Sequence, residues 1–149
     1  MLDRSFFDTN IFLYAFLQPK NEVDVVKSNI ALGLLENLET SILISSQVIN
    51  EVANTLLRKS NLTHPEIVNR LESMVRVTEV LPLTPAMSFD AVELQERYQF
   101  SFYDCLIISA ALSGSCRCVV TEDLQDGQVI YFKSKQVKIV NPFATGEGL

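Results

Sequence analysis

An apolar run broken by two polar side chains near the start of the chain constrains the fold most. Residues 6–16 read FFDTNIFLYAF, so that Asp8 and Asn10 stand among aromatic and aliphatic residues. The phenylalanines before Asp8 are typical of a buried strand, and the apolar residues after Asn10 recur at helical spacing. Ligands of open α/β sheets bind at the carboxyl ends of strands. Asp8 is therefore predicted to lie at the tip of a strand, where a helix begins.

The same alternation of strand and helix patterns continues through the chain. Short apolar runs predict further strands at 41–45, 79–83, 118–121 and 137–140. Helical spacing predicts amphipathic helices at 23–38, with one face for the sheet, and at 47–59, with Ser46 as N-cap. Capping residues open two more helices at Thr63 and Thr84, and the most apolar helix covers 102–112 and closes at Gly114.

These elements predict an α/β fold: three layers, α/β/α, around a central parallel sheet of about five strands. Right-handed crossovers place helices on both faces of such a sheet. The strand at 79–83 contains Pro82, which indicates an edge strand or the start of a strand. Residues 1–149 are predicted to form a single domain, and 144–149 a loose tail.

Charge and composition exclude several classes of protein. The net charge of −6 argues against binding nucleic acid through a broad basic surface, so a polyanion would need bridging cations. Apolar residues make up 48% and charged residues 20%, which leaves apolar surface for a partner. The 3 cysteines lack metal-ligand spacing and indicate reduced thiols. We find neither a signal segment nor an apolar run long enough for a membrane helix, and expect a cytoplasmic protein.

Four acidic residues lie at comparable ends of elements, and each has a structural explanation of its own. Asp8 can be an N-cap, and Glu51 a solvated glutamate of a helix. Asp104 with Ser101 matches a capping box, and Asp123 can be a turn acid. Asp104, however, stands on a helix that is apolar nearly all round, where an ionised carboxylate is costly unless it is paired or bound to a metal.

In a doubly wound sheet the four positions share one edge, where the carboxylates would repel each other. A pair at 4 Å costs about 4 kcal/mol at an effective dielectric near 20. No basic residue is available between them, and oxygen-only ligands favour Mg²⁺ or Mn²⁺. Such ions activate water for phosphoryl displacement. His64, the only histidine, is interpreted as structural, and Arg58 either positions a phosphate from the face of Glu51 or is solvated.

The chain resembles PIN domains, and among them the virulence-associated protein C toxins of toxin–antitoxin modules. The motifs that carry the resemblance are FDTN at 7–10, SQVINE at 46–51, SFYD at 101–104, TEDLQDGQ at 121–128 and NPF at 141–143. It implies a metal-dependent ribonuclease in which Asp8, Glu51, Asp104 and Asp123 hold Mg²⁺ or Mn²⁺ and activate water.

The same resemblance implies that Asn10 and Thr121 support the acids, that the protein is a homodimer, and that a cognate antitoxin inhibits it. Glu122 and Asp126 remain alternatives to Asp123 as the acid after the fourth strand. The leading hypothesis is a Mg²⁺- or Mn²⁺-dependent endoribonuclease that hydrolyses RNA, the toxin of a toxin–antitoxin pair. The alternatives are a cation-dependent binding module for RNA or a partner, and a phosphoryl-accepting domain that uses Asp8.

Overall fold

The computed structural model describes residues 3–144, in which strands and helices alternate as expected. In chain order the elements are β1 Asp3–Phe7, α1 Thr9–Phe16, α2 Glu22–Glu36, β2 Thr40–Ser45, α3 Ser46–Lys59, α4 His64–Val77, β3 Glu79–Leu81, α5 Pro85–Tyr98, α6 Phe102–Ser113, β4 Cys118–Val120, β5 Val129–Phe132 and β6 Lys135–Val140. The tail predicted at 144–149 lies outside the described residues except for Ala144.

One sheet of six strands forms the centre, in the order β3-β2-β1-β4-β6-β5. β1 pairs in parallel with both β2 and β4, β3 adds to β2, and β6 adds to β4, all in parallel. The predicted edge position of the strand at 79–83 is confirmed, because β3 lies at one edge of the sheet, but the strand ends at Leu81 and does not include Pro82. The chain first builds outward from β1 through β2 to β3, then returns to the other side of β1. The order of the strands therefore reverses between β1 and β4.

This reversal places the helices in two layers. Right-handed crossovers from β1 to β3 put α1 to α4 on one face, and the reversed crossover to β4 puts α5 and α6 on the other. Helix contacts agree, since α1 packs against α2 and α3, α3 packs against α4, and α5 packs against α6. The buried side chains of β1 and β2, such as Phe6, Leu43 and Ile44, lie between the layers. The predicted α/β architecture is confirmed.

Three local expectations need correction. The predicted strands omit β5, which pairs antiparallel with β6 and makes a sixth strand. Ser46 is the first residue of α3 rather than its N-cap, and its Oγ accepts a hydrogen bond from the backbone N–H of Leu83 at 3.3 Å. On α2 only Ala31 is buried, while Val23 and Val26 are exposed, because this helix packs on α1 rather than on the sheet.

Capping explains where several helices begin. Thr63 and Glu66 form the predicted capping box of α4, with the Thr63 side chain and the Glu66 carboxylate each accepting from the other's backbone N–H. Thr84 caps α5 without such a reciprocal bond, and its side chain accepts from the N–H of Met87. Within residues 3–144, no helix has the length and apolar character needed to cross a membrane.

Candidate metal centre

The carboxyl ends of β1 and β4 place the candidate residues. Phe7 and Val120 are paired in register at the ends of these neighbouring strands, and the backbone N–H of Asp8 donates to the carbonyl of Val120 at 3.0 Å. Asp8 thus follows β1 directly, and Thr121 and Asp123 follow β4. Since the strand order reverses between these two strands, the chain opens a crevice at this point. Asp8 and Asp123 approach each other there.

Asp8 is held in a fixed position by hydrogen bonds to both carboxylate oxygens. Its Oδ1 accepts from the N–H of Thr9 at 2.7 Å, which makes it the N-cap of α1, and its Oδ2 accepts from Thr121 Oγ1 at 2.8 Å. Capping and a role in the site are therefore compatible. Burial raises the pKa of Asp8 from its ordinary 3.8 to about 7, and Asp123 and Glu51 add to this while the two hydrogen bonds oppose it.

Three carboxylates converge at the crevice. Oxygen atoms of Asp8, Asp104 and Asp123 all lie within 4.8 Å of one another, although the residues are far apart in sequence. Asp104 belongs to the first turn of α6, where Ser101 Oγ accepts from its N–H at 3.1 Å. Only this half of the predicted capping box forms, and the Asp104 carboxylate faces the other two acids instead. Burial, with help from Asp104, also raises the pKa of Asp123.

Asn10 and Thr121 connect these acids. Thr121 is fully buried, and besides donating to Asp8 its Oγ1 accepts from the N–H of Asp123 at 3.1 Å. The Asn10 amide donates to Asp123 Oδ2 at 3.2 Å and to Thr121 Oγ1 at 3.5 Å. Both residues therefore fix the orientation of a carboxylate at the crevice. The supporting role that the resemblance implies for them stays a prediction.

Glu51 lies on the wall of the same crevice, outside the 4.8 Å set. Its Oε1 accepts from the Gln47 amide at 2.5 Å and its Oε2 from Thr9 Oγ1 at 3.0 Å. Gln47 also donates to the carbonyl of Tyr103 and is only 6% exposed, so it links α3 to the start of α6. Gln47 is not among the site residues predicted from the sequence. Its position one helical turn before Glu51 is the feature of the sequence that indicates a contact between the two side chains.

The structure separates the three acids that follow β4. Glu122 turns away from the crevice, since its carboxylate accepts from Tyr14 at 2.6 Å and from Lys27 at 3.0 Å. Asp126 accepts a hydrogen bond from the N–H of Asn141 at 2.9 Å. Only Asp123 joins the three-carboxylate set. The two alternatives therefore have structural partners of their own.

The remaining candidates lie away from the crevice. His64 is the exposed first residue of α4 and lines neither this crevice nor the large groove beside it. Arg58 is exposed and also lines neither of them, although it stands two turns from Glu51 on α3. The neighbouring Lys59 does line the groove.

The crevice has the donors that a hard divalent cation requires. It has a volume of about 250 Å³, and in the part of the chain that the structure describes no Lys, Arg or His lines it. Two buried acceptor atoms, Asn10 Oδ1 and Gln47 Oε1, have no hydrogen-bond partner. An unpartnered buried acceptor is costly, and carboxylate and amide oxygens suit Mg²⁺ or Mn²⁺ better than Zn²⁺. The residues present therefore fit such an ion.

Comparison with known proteins identifies a family. The family model described as PIN domain matches residues 5–126. No curated protein matches the sequence.

Among solved structures, VapC20 of Mycobacterium tuberculosis, described as a sarcin–ricin loop cleaving toxin, is 19% identical with a TM-score of 0.61, over 77% of this chain and 86% of that one. VapBC2 of Rickettsia felis bound to a promoter DNA fragment is 22% identical with a TM-score of 0.58, over 80% of this chain and 88% of that one. A toxin–antitoxin complex from Klebsiella pneumoniae is 18% identical with a TM-score of 0.60, over 80% of this chain and 86% of that one.

These identities are low, and the solved structures therefore support the fold alone. The match to the family model does not share this limit, because it covers the sequence from β1 to the turn after β4, including all the residues of the crevice. The chain belongs to the PIN domain family.

Proposed function

We propose that this protein is a Mg²⁺- or Mn²⁺-dependent endoribonuclease that hydrolyses phosphodiester bonds of RNA. The observation that carries the proposal is the convergence of Asp8, Asp104 and Asp123 in a crevice without a basic residue, among residues 3–144 of a PIN domain. Carboxylates so close together are tolerable at neutral pH when a cation lies between them. A structural neighbour described as a toxin that cleaves the sarcin–ricin loop supports RNA as the substrate.

The residues have separate tasks in this reaction. Asp8, Asp104 and Asp123 hold the cation, and when bound it supplies Lewis acidity toward a phosphate oxygen and lowers the pKa of a water ligand. Thr121 and Asn10 keep Asp8 and Asp123 in orientation. Glu51, fixed by hydrogen bonds from the Gln47 amide and the Thr9 hydroxyl, completes the acidic wall and accepts a hydrogen bond from the attacking water.

We further propose that the protein is a toxin inhibited by a cognate antitoxin, and that it acts in the cytoplasm as a homodimer. One structural neighbour is described as a toxin–antitoxin complex, which supports a protein partner. Large apolar side chains are exposed on two separate helices, Val23, Val25 and Val26 on α2 and Phe89 and Val92 on α5. Large contiguous apolar patches mark sites of protein interaction.

Substitution of the acids tests the catalytic proposal. We expect Asp8→Asn and Asp104→Asn to abolish Mn²⁺-dependent shortening of a mixed RNA pool while each variant keeps the circular dichroism spectrum of the folded protein. Asp126→Asn is a suitable control, because it removes an acid of the same turn that accepts a hydrogen bond from the N–H of Asn141 and lines neither the crevice nor the groove beside it. Full cleavage by either aspartate variant would refute the proposal.

The same assay separates an enzyme from a binding module. The partner-free protein is mixed with labelled RNA and Mn²⁺, and the products are resolved by both native and denaturing electrophoresis. A nuclease produces shorter RNA, and EDTA suppresses this cleavage. A protein that shifts RNA in the native gel and never shortens it is a binding module, and the nuclease proposal then fails.

A further inference from the structure

A larger groove continues directly from the acidic crevice. It has a volume of about 860 Å³ and lies between α1, the turn into α2, and the chain that joins α3 to α4. Asn10, Leu13 and Thr55 line both the crevice and this groove. A chain-like ligand held at the carboxylates therefore enters the groove without leaving the surface.

Helix geometry aligns the groove with the acids. Thr55 follows Glu51 by one helical turn on α3, and Lys59 follows Thr55 by another, so these three side chains form one stripe. Lys59 lies about 12 Å beyond Glu51 along the helix axis, at 1.5 Å per residue. On α1, Asn10, Leu13 and Leu17 make the corresponding stripe. The groove thus starts at the carboxylates and extends toward the carboxyl ends of both helices.

The rim of the groove is basic, in a chain whose net charge is −6. Lys20, Lys59 and Arg70 line it and are exposed. Four ion pairs form within residues 3–144, and none of them uses these three side chains. Of the two acids that line the groove, Glu122 is paired with Lys27, and Asp24 accepts from the backbone N–H of Lys20 at 3.4 Å. The groove therefore has three basic side chains outside the ion pairs of the described residues, against one such carboxylate, Asp24.

The floor of the groove is apolar and partly aromatic. Half-buried side chains of α1 and of the turn before α4 form it, and these are Leu13, Tyr14, Phe16, Leu17 and Leu62. A basic rim that follows the backbone and an apolar, aromatic floor on which bases stack are the two features of surfaces that bind single-stranded nucleic acid. The surface agrees less well with a duplex, whose bases are stacked on each other and unavailable to the floor.

We propose that this groove binds the single-stranded RNA segment that adjoins the scissile phosphate. Lys20, Lys59 and Arg70 contact its phosphates, and the floor formed by Phe16 and its neighbours receives its bases. The inference rests on the proposed nuclease function and deepens it, because it assigns the path that the substrate takes away from the cation. The same three charges explain how an acidic protein holds a polyanion beside its cation site.

Salt dependence of binding tests the phosphate contacts. Affinity for a fluorescent single-stranded RNA of mixed sequence is measured by anisotropy in Mn²⁺ with Asp8→Asn as the parent, so that no RNA is consumed. Each phosphate contact to a single strand contributes about 0.7 to the slope of log affinity against log salt. We expect Lys20→Ala, Lys59→Ala and Arg70→Ala each to lower the slope by about 0.7 and the triple variant to lower it by about 2.

Arg58→Ala is the matched control. It removes the same charge from the neighbouring exposed position of α3, where the side chain lines neither cavity, and we expect the slope to stay unchanged. All variants should retain the unfolding midpoint of the parent, because the substituted side chains are exposed. A triple variant with the same slope as Arg58→Ala overturns the inference.

Cleavage kinetics distinguish failure of this inference from failure of the nuclease proposal. In the wild-type background we expect the triple substitution to raise KM at least tenfold with kcat nearly unchanged, because the groove contacts substrate and transition state alike. Normal cleavage with unaltered KM leaves the nuclease intact and refutes the groove. If the triple variant has the lower salt slope and the wild type cleaves no RNA, the groove binds RNA and the nuclease proposal is refuted. If the variant binds RNA normally and loses a co-purifying protein, a protein segment occupies the groove and the inference is wrong.

Discussion

At the scale of single residues, Asp8 shows how burial at a strand tip prepares a carboxylate for a cation. The side chain is only 6% exposed, and its pKa of about 7 in the cation-free protein reflects the cost of burying its charge. The hydrogen bonds from Thr9 and Thr121 do not offset that cost. A cation and a proton therefore compete for this carboxylate near neutral pH.

The raised pKa of Asp8 has a consequence for stability against pH. Between about pH 4 and 7 the folded protein keeps a proton on Asp8 that the unfolded chain releases, so the free energy of unfolding falls as pH rises and levels off above 7. A shift from 3.8 to about 7 corresponds to about 4 kcal/mol at 1.36 kcal/mol per pH unit. Urea unfolding of the wild type and of Asp8→Asn in EDTA measures this effect.

The difference between the two proteins isolates the contribution of Asp8, because every other ionisable group is common to both. We expect Asp8→Asn to gain several kcal/mol relative to wild type between pH 4 and pH 8. A difference that stays constant over this range would show that Asp8 has an ordinary pKa in the folded protein.

Gln47 is expected to act through Glu51. Gln47→Met keeps the size of this buried side chain and removes the amide that donates to Glu51 Oε1 and to the Tyr103 carbonyl. Loss of a partner that orients an acid of a metal site typically costs 10–100-fold in activity. We therefore expect about tenfold slower RNA cleavage in Mn²⁺. Gln95→Met, at an exposed position of α5, should cleave at the wild-type rate.

At the scale of elements, the sequence predicts what local patterns encode. The strands β1 and β4 and the helices that follow β1 and β2 have continuous apolar patterns, so the positions of Asp8, Glu51 and Asp123 at one edge follow from the order of the elements. The strand β5 also has an apolar pattern, since residues 129–132 read VIYF after the turn at Gly127, so the sequence could have indicated it. The antiparallel pairing of β5 with β6 is what local patterns do not encode.

Tertiary partners also explain what the sequence left open. Three carboxylates of similar chemistry follow β4, and their partners in the fold distinguish them. Glu122 pairs with Lys27, Asp123 accepts from Asn10, and Asp126 accepts from the N–H of Asn141. The valines of α2 recur at helical spacing, which predicts an apolar face that contacts the sheet. Periodicity shows that a helix has an apolar face and does not show what covers it.

The close packing of α6 against the sheet depends on a glycine at its end. A Cβ on Gly114 would lie 2.9 Å from Leu81 Cδ1 and closer still to Leu43 Cδ2, which is fully buried. The φ of Gly114 is −81°, and close approach rather than backbone freedom therefore requires glycine. We expect Gly114→Ala to lower the free energy of unfolding by about 1–3 kcal/mol, as overpacking of a core does.

Gly33 offers a matched comparison, because it lies inside α2 and a Cβ there meets no atom within 4 Å. We expect Gly33→Ala to raise the free energy of unfolding by about 0.5–1 kcal/mol, through helix propensity alone. Urea titration measures both variants. Equal effects of the two substitutions would contradict the packing argument for Gly114.

At the scale of the whole molecule, folding and cation binding are linked. The position directly after β1, the first turn of α6 and the turn after β4 each carry one of the three carboxylates, and only the folded sheet brings them within 4.8 Å. The unfolded chain has no such site, so a cation binds the folded state alone. Folding without the cation instead works against the repulsion of these acids.

Two opposite effects on stability follow from this linkage at pH 8. Mn²⁺ at 100 times its dissociation constant should raise the free energy of unfolding of the wild type by about 2.7 kcal/mol, and EDTA should reverse the increase. Asp104→Asn should unfold at a higher temperature than wild type in EDTA, because one repelling charge is gone, and should gain almost nothing from Mn²⁺. Asp126→Asn, whose acid lies outside the set, should respond to Mn²⁺ as the wild type does. Differential scanning calorimetry of the three proteins measures both effects, and an undiminished Mn²⁺ response in Asp104→Asn would exclude a shared cation site.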